Sequence, residues 1–209
     1  MSNNQMKNKV IIATKNSGKA NEFKEIIAND HTEVLTLLDL PEDIDIEEAG
    51  STFEENAILK AETIAKKYET IVIADDSGLV IDALDGRPGV YSARYAGEEK
   101  NDDANIDKVL AEMAHVPRGK RSARFYCALA AAIPGKETIV VSGTCEGEIL
   151  PKRMGNHGFG YDPIFYVNAL GQSMAELSSE QKNQISHRAN ALEKLEAKLA
   201  TLIQKGEEK

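Results

Sequence analysis

The chain has 209 residues, enough for one sizeable core, and a single domain over residues 1–209 is expected. Charged residues make up 28% and hydrophobic ones 42%, as in ordinary folded proteins, and a net charge of −9 argues against a broad basic surface for duplex nucleic acid. That balance still leaves room for a small anion in a locally basic pocket.

In chain order, Lys9 to Ala13 reads as a buried strand. A helix follows from Ser17, with Ala20, Phe23, Ile26 and Ile27 on one face. The stretch "ATKNSGKA" between them places Gly18-Lys19 at a strand-to-helix turn. A Walker phosphate loop needs G-x-x-x-x-G-K-[ST], and here Ala13 and Ala20 stand at its two decisive ends, so that motif is excluded. The physics of the place survives. A helix N-terminus offers unpaired N–H groups and partial positive charge. Thr14, Asn16 and Ser17 add hydrogen-bonding groups, and Lys19 adds a full charge. The plain alternative is a capped turn with a solvated lysine.

Glu33 to Leu38 alternates like a second strand, and the acidic loop "LPEDIDIEEAGS" follows. Thr52-x-x-Glu55 forms a capping box that opens a second helix. Phe53, Ala57, Ala61, Ile64 and Tyr68 form its stripe, and Asn56 and Lys60 share one edge beside it. "TIVIADDSG" is a third strand expected to stop at Asp75 and Asp76. Neighbours on a strand point to opposite faces, so one aspartate can face a site while the other caps the loop. Which one does so stays open from the residues alone. Carboxylates beside phosphate oxygens are the donors Mg²⁺ prefers, and an Asx turn is the simpler reading.

"DALDGRPGVYSARYAG" reads as an ordered loop, residues 101–113 as a helix, and "SARFYCALAAAI" and "ETIVVSGTCEGEI" as a strand hairpin turning at "PGKE". In "GFGYDPIF", Phe159 between two glycines suits stacking on a flat ligand or anchoring a long loop. A short helix is expected over 178–184. Ser186 should cap a last one, with Ala189, Leu192, Leu195, Leu199 and Leu202 on one face. "KNQISHR" gathers Lys182, His187 and Arg188 near that start, where cations oppose the helix dipole unless an anion binds. Cys127 and Cys145 lie in apolar or strand-like stretches and read as packed, reduced thiols. His31, His115, His157 and His187 lack zinc spacing, and no Ser-His-Asp pattern stands out. The polar "MSNNQMKNK" has no apolar run for a signal peptide or membrane span, so a cytoplasmic protein is the default expectation. Early alternation of strands and helices, then a long hairpin, predicts an α/β fold with a mixed sheet and flanking helices.

Six motifs in order, "ATKNSGKANEF", "EEAGSTFEENAILKA", "ADDSGLVIDALDGRPGVYSARYAG", "ARFYCALA", "GFGYDPIF" and "ISHRANAL", make the chain from about Val10 to Leu195 resemble the inosine triphosphate pyrophosphatases, the Ham1-like XTP/dITP diphosphatases. That resemblance implies an elongated mixed sheet in two lobes around a central cleft. It also implies Mg²⁺-dependent hydrolysis of ITP, dITP or XTP to the monophosphate and pyrophosphate, by a homodimer without nucleic-acid or membrane partners. By matching positions, Thr14, Lys15, Asn16, Ser17, Gly18 and Lys19 would contact the triphosphate, though the family varies around Lys15 and Ser17. Asp76 would be the metal-linked general base with Ser77 on the substrate beside it, and Glu47 would be a second metal ligand. Phe159, Gly160, Tyr161 and Asp162 would hold base and sugar. Lys182, His187 and Arg188 would complete the site, with Lys60 as a further phosphate contact and Asp75 in support.

Overall fold

The computed structural model describes residues 8–27 and 32–207. His31, the polar stretch before Asn8 and the side chain of Leu202 lie outside the residues described.

Among the described residues seven strands form one mixed sheet: β1 (Asn8–Ile12), β2 (Thr32–Thr36), β3 (Ile71–Ile81), β4 (Ser122–Ala132), β5 (Ile139–Ile149), β6 (Phe165–Val167) and β7 (Gln172–Ser173), in the order β2-β1-β3-β4-β5-β6-β7. Five α-helices accompany them: α1 (Ser17–Ile27), α2 (Phe53–Tyr68), α3 (Asp102–Glu112), α4 (Ser179–Ile185) and α5 (His187–Glu207). By Cα proximity the chain divides into two compact units. The first comprises the residues up to Asp76, Ala128–Val141 and those from Glu193 on; the second comprises Ser77–Cys127 and Ser142–Leu192.

In the first unit β1 runs parallel to both β2 and β3, pairing Val10 with Val34 on one side and Ile71 on the other. Parallel neighbours need crossovers, and α1 and α2 supply them. Each helix follows its sequence pattern. Ala20 and Phe23 are buried apolar residues of α1, and Ala57, Ala61 and Ile64 of α2; Ala20 is 3% exposed and the other four are fully buried. The capping box at Thr52 forms as expected: its Oγ1 accepts the Glu55 N–H at 3.2 Å, and Glu55 Oε2 accepts the Thr52 N–H at 3.3 Å. The acidic loop is fastened by lysines, Lys15 to Asp43 at 2.7 Å and Lys67 to Glu42, and just before it Lys24 pairs with Asp39 at 2.9 Å.

In the second unit Leu79, Ile81, Val109, Met113, Phe125 and Phe165 belong to one buried apolar cluster. Residues 133–138 join β4 to β5, a connection too short for a parallel crossover. β5 pairs antiparallel with β6, and β6 with β7. The two-residue β7 and the short 3-10 turn after it, Met174–Glu176, carry too little periodicity to read from sequence.

One expectation is corrected. β3 does not stop at the aspartates but runs through them to Ile81. Leu79 and Ile81 are fully buried and keep the strand going, while both carboxylates find partners that let charge enter a strand.

Candidate functional site

Two clusters of buried polar side chains stand out, one in each unit. The first is built on β3 and the N-terminal ends of α1 and α2. Asn16 caps α1, its Oδ1 accepting the Lys19 N–H at 3.0 Å and its carbonyl the Ala20 N–H at 2.9 Å. Thr14, buried, accepts the Asn16 N–H at 3.2 Å, whereas Lys15 and Ser17 are exposed and Gly18 half-buried. Lys19 is not a solvated lysine: its Nζ lies 2.8 Å from Asp75 Oδ2, a carboxylate only 1% exposed.

Asp76 has different partners. Asn56 Nδ2 donates to its Oδ2 at 2.9 Å, and Lys60 Nζ stands 3.6 Å from its Oδ1. The same ammonium pairs with Glu48 Oε1 at 2.7 Å. Burial pushes the Asp76 carboxyl above its ordinary range, against the pull of Lys60 and Lys19. For Lys60, burial acts to lower the ammonium, but Asp76, Asp75 and Glu48 outweigh it and hold it above the usual lysine range. The pairing therefore keeps Lys60 charged although it is buried.

Glu47, expected as a metal ligand, is exposed; its neighbour Glu48 is the half-buried carboxylate on Lys60, and its charge bears on Asp76. Two adjacent glutamates in an irregular loop give no signal for choosing between them. Asn56 is also a residue the sequence reading did not assign to the site, although its i,i+4 spacing from Lys60 was its signature.

The second cluster joins the Gly158–Asp162 loop to the end of α4 and the start of α5. Asp162 is 3% exposed, accepting Lys182 Nζ at 2.6 Å and the Phe159 N–H at 3.0 Å. Gly158 has a φ of +76°, and a Cβ there would lie 2.0 Å from Asp162 Oδ2, so only glycine permits this turn. Lys182 Nζ lies 4.6 Å and Arg188 Cζ 5.4 Å from the centre of the Phe159 ring. Arg188 also donates to Ser77 Oγ at 2.9 Å. His187 is buried and stacks on Phe125, with ring centres 5.0 Å apart.

Tyr161 is buried, and its hydroxyl donates to the Ser92 carbonyl at 2.8 Å; Gly160 N–H donates to Asp102 Oδ2 at 2.9 Å. Both contacts tether the loop to the segment before it, and loop-to-loop ties of this kind have no sequence period to reveal them. Cys145 is buried, and burial pushes its thiol up to about 11, which suits a packed thiol better than a nucleophile.

Among the described residues no helix is long and apolar enough to cross a membrane, and no three His, Cys, Asp or Glu side chains gather as a ready metal cage. The first cluster can present carboxylates to a cation and ammonium groups to phosphate. The second offers an aromatic ring flanked by two cations.

The Ham1 family model matches residues 10–198. A dITP/XTP pyrophosphatase of Oceanobacillus iheyensis is 63% identical over 195 residues, covering 93% of this chain and 99% of that protein. One from Geobacillus kaustophilus is 56% identical over 194 residues, covering 93% and 95%. Among solved structures, the Staphylococcus aureus Ham1 protein superposes with a TM-score of 0.82 at 51% identity, covering 92% of this chain and 98% of its own. A HAM1 protein from Coxiella burnetii gives 0.81 at 41%, covering 93% and 99%. On a match of this extent, the chain belongs to the Ham1 family.

Proposed function

We propose that this chain hydrolyses noncanonical purine nucleoside triphosphates, dITP, ITP and XTP, to the monophosphate and pyrophosphate, and so clears them from the nucleotide pool. Relatives that share most of its length carry the name dITP/XTP pyrophosphatase. The observation that carries the chemistry is the group of Asp75, Asp76, Glu48, Lys19 and Lys60, with both aspartates and Lys60 buried.

Nucleotide pyrophosphatases generally work with a divalent metal, here assigned as Mg²⁺. Mg²⁺ is commonly bound by one or two carboxylates plus substrate phosphates, and Asp76 with Glu48 provides such a donor pair, so the residues fit. We assign the second ligand to Glu48 in place of Glu47 because Glu48 is the one drawn to Lys60 beside Asp76. When bound, the metal supplies neutralisation of phosphate charge and a more acidic water.

The chain's own residues do the rest. Asp76 takes the proton of the attacking water. The α1 turn from Thr14 to Lys19, with Lys60, holds the phosphates while the bond between the α and β phosphates breaks and pyrophosphate leaves. Phe159 stacks on the base. Lys182 and Arg188, which only donate, meet the oxo groups of hypoxanthine or xanthine. A 6-amino group presents donors to those donors, and each buried donor left unpaired costs ~1–3 kcal/mol. The whole chain, 1–209, is read as one functional domain, a cytoplasmic homodimer with no nucleic-acid or membrane partner; light scattering on the purified protein tests the dimer.

The test of the activity is a panel of ITP, dITP, XTP, GTP and ATP with separate pyrophosphate and orthophosphate readouts, with and without Mg²⁺. Pyrophosphate from the first three and little from ATP is expected. Orthophosphate as the direct product, or binding without turnover, overturns the proposal.

A further inference from the structure

Helix α2 touches Asp76 through two side chains one turn apart, and both also hold the loop that carries Glu48. Lys60 is the charged bridge: Nζ to Glu48 at 2.7 Å and to Asp76 at 3.6 Å. Asn56 is the neutral one. Its Nδ2 donates to Asp76 Oδ2 at 2.9 Å, and its Oδ1 accepts the Gly50 N–H at 2.8 Å. A backbone N–H can only donate, so Gly50 fixes which end of the amide faces Asp76. Asn56 is 1% exposed and has no alternative partner in water.

The fit is close. A Cβ on Gly50 would lie 2.6 Å from Asn56 Oδ1 and 2.8 Å from Glu55 Cβ, so the loop comes this near only as glycine. The loop is fastened again one residue on, where Ser51 N–H and Oγ donate to Glu55 Oε2 at 2.7 and 2.8 Å. Lys60 is the bridge that substrate would disturb, because its ammonium is also a ligand for phosphate. The Asn56 bridge carries no charge for a phosphate or a cation to compete for.

We propose that Asn56 is a positioning residue for the hydrolytic reaction: it holds one oxygen of Asp76 and the Glu48 loop in fixed relation. This rests on Asp76 acting as the base. In this proposal Asn56 acts on the reaction through Asp76 and the loop it ties to it, and not through contact with substrate. A defect in catalysis and a defect in the fold therefore separate.

The experiment compares the wild type, Asn56→Ala, Asp76→Asn and the double variant for kcat and KM with ITP, for pyrophosphate affinity by calorimetry, and for denaturant unfolding. Asn56→Ala is expected to lower kcat by roughly 10- to 100-fold while KM and pyrophosphate affinity stay within about threefold. In the Asp76→Asn background, the same change should lower the residual rate by less than about twofold. Asn56→Asp keeps the volume and the bond from Gly50 but loses the donor, and it should show the same kcat loss in a folded protein. A wild-type kcat in Asn56→Asp, losses that multiply in the double variant, or a rise in KM that accounts for the whole effect in Asn56→Ala each overturn the proposal. Failure of the proposed activity is distinguishable, since then the wild type itself releases no pyrophosphate.

Discussion

Each unit holds a close aspartate–lysine pair on a buried carboxylate, at nearly the same length: Lys19–Asp75 at 2.8 Å in the first and Lys182–Asp162 at 2.6 Å in the second. Their surroundings differ. Around the first stand two more carboxylates, Asp76 and Glu48, against one more ammonium, Lys60, so acid exceeds base and the cluster can accept a cation. Around the second stand an aromatic ring and a guanidinium, Phe159 and Arg188, so base exceeds acid and a flat, oxygen-bearing group can be accepted. A buried ion pair by itself says little about function, because desolvation offsets most of its attraction. The neighbours set what each pair suits: in the proposed function, chemistry at phosphorus for the first and recognition of a base for the second.

The sharpest way to break this comparison is to remove one group from each side. Asp76→Asn keeps the shape of the first cluster and removes the carboxylate proposed as the base. A ~10²- to 10⁴-fold fall in kcat is expected, with the unfolding midpoint little changed. Lys182→Met takes one of the two cations from the second and leaves Asp162 buried with reduced compensation. Breaking a buried pair in this way costs about 3–5 kcal/mol, read by denaturant unfolding, and KM for ITP should rise with kcat largely kept. If Lys182→Met lowered kcat as far as Asp76→Asn does, the division between a chemical cluster and a recognition cluster would be wrong.

What the sequence made legible follows from range. Elements written in local periodicity were readable: α1 and α2 from their apolar stripes, the Thr52–Glu55 capping box from two residues three apart, and the exclusion of a Walker loop from Ala13 and Ala20. The two clusters were present as residue types, but their pairings were not. Nothing local says that Lys19 meets Asp75 and Lys60 meets Glu48, since those partners stand 56 and 12 positions apart in the chain and the strand that carries the aspartates runs on past them. That Glu48 and not Glu47 meets Lys60 depends on an irregular loop without period. The tether from Tyr161 to Ser92 spans 69 positions, and it turns a tyrosine expected at the ligand into one whose hydroxyl is already given to the protein.

The smallest effect sharpens the same comparison from outside both clusters. Asp39 is exposed, yet its Oδ2 accepts the Thr36 N–H and Oγ1, both at 2.8 Å, and Lys24 Nζ at 2.9 Å. The Lys24 contact first, then those from Thr36, bring its carboxyl down to about 2 from an ordinary 3.8. A depressed carboxyl means that the folded state favours the ionised form. The stabilisation is therefore complete above about pH 4 and is lost as pH falls from there toward 2. Water and salt screen an exposed pair, so it is worth only ~0.5 kcal/mol, well below what the shift alone would suggest. Asp39→Asn keeps an acceptor for Thr36 and removes the charge. Unfolding at pH 6 should show a loss of about that size, and the decline in stability between pH 4 and pH 2 should be shallower than in the wild type. An unchanged slope would mean that Lys24 contributes nothing measurable at Asp39. A loss of several kcal/mol would mean that exposure does not separate this carboxylate from Asp75 and Asp162, which are buried.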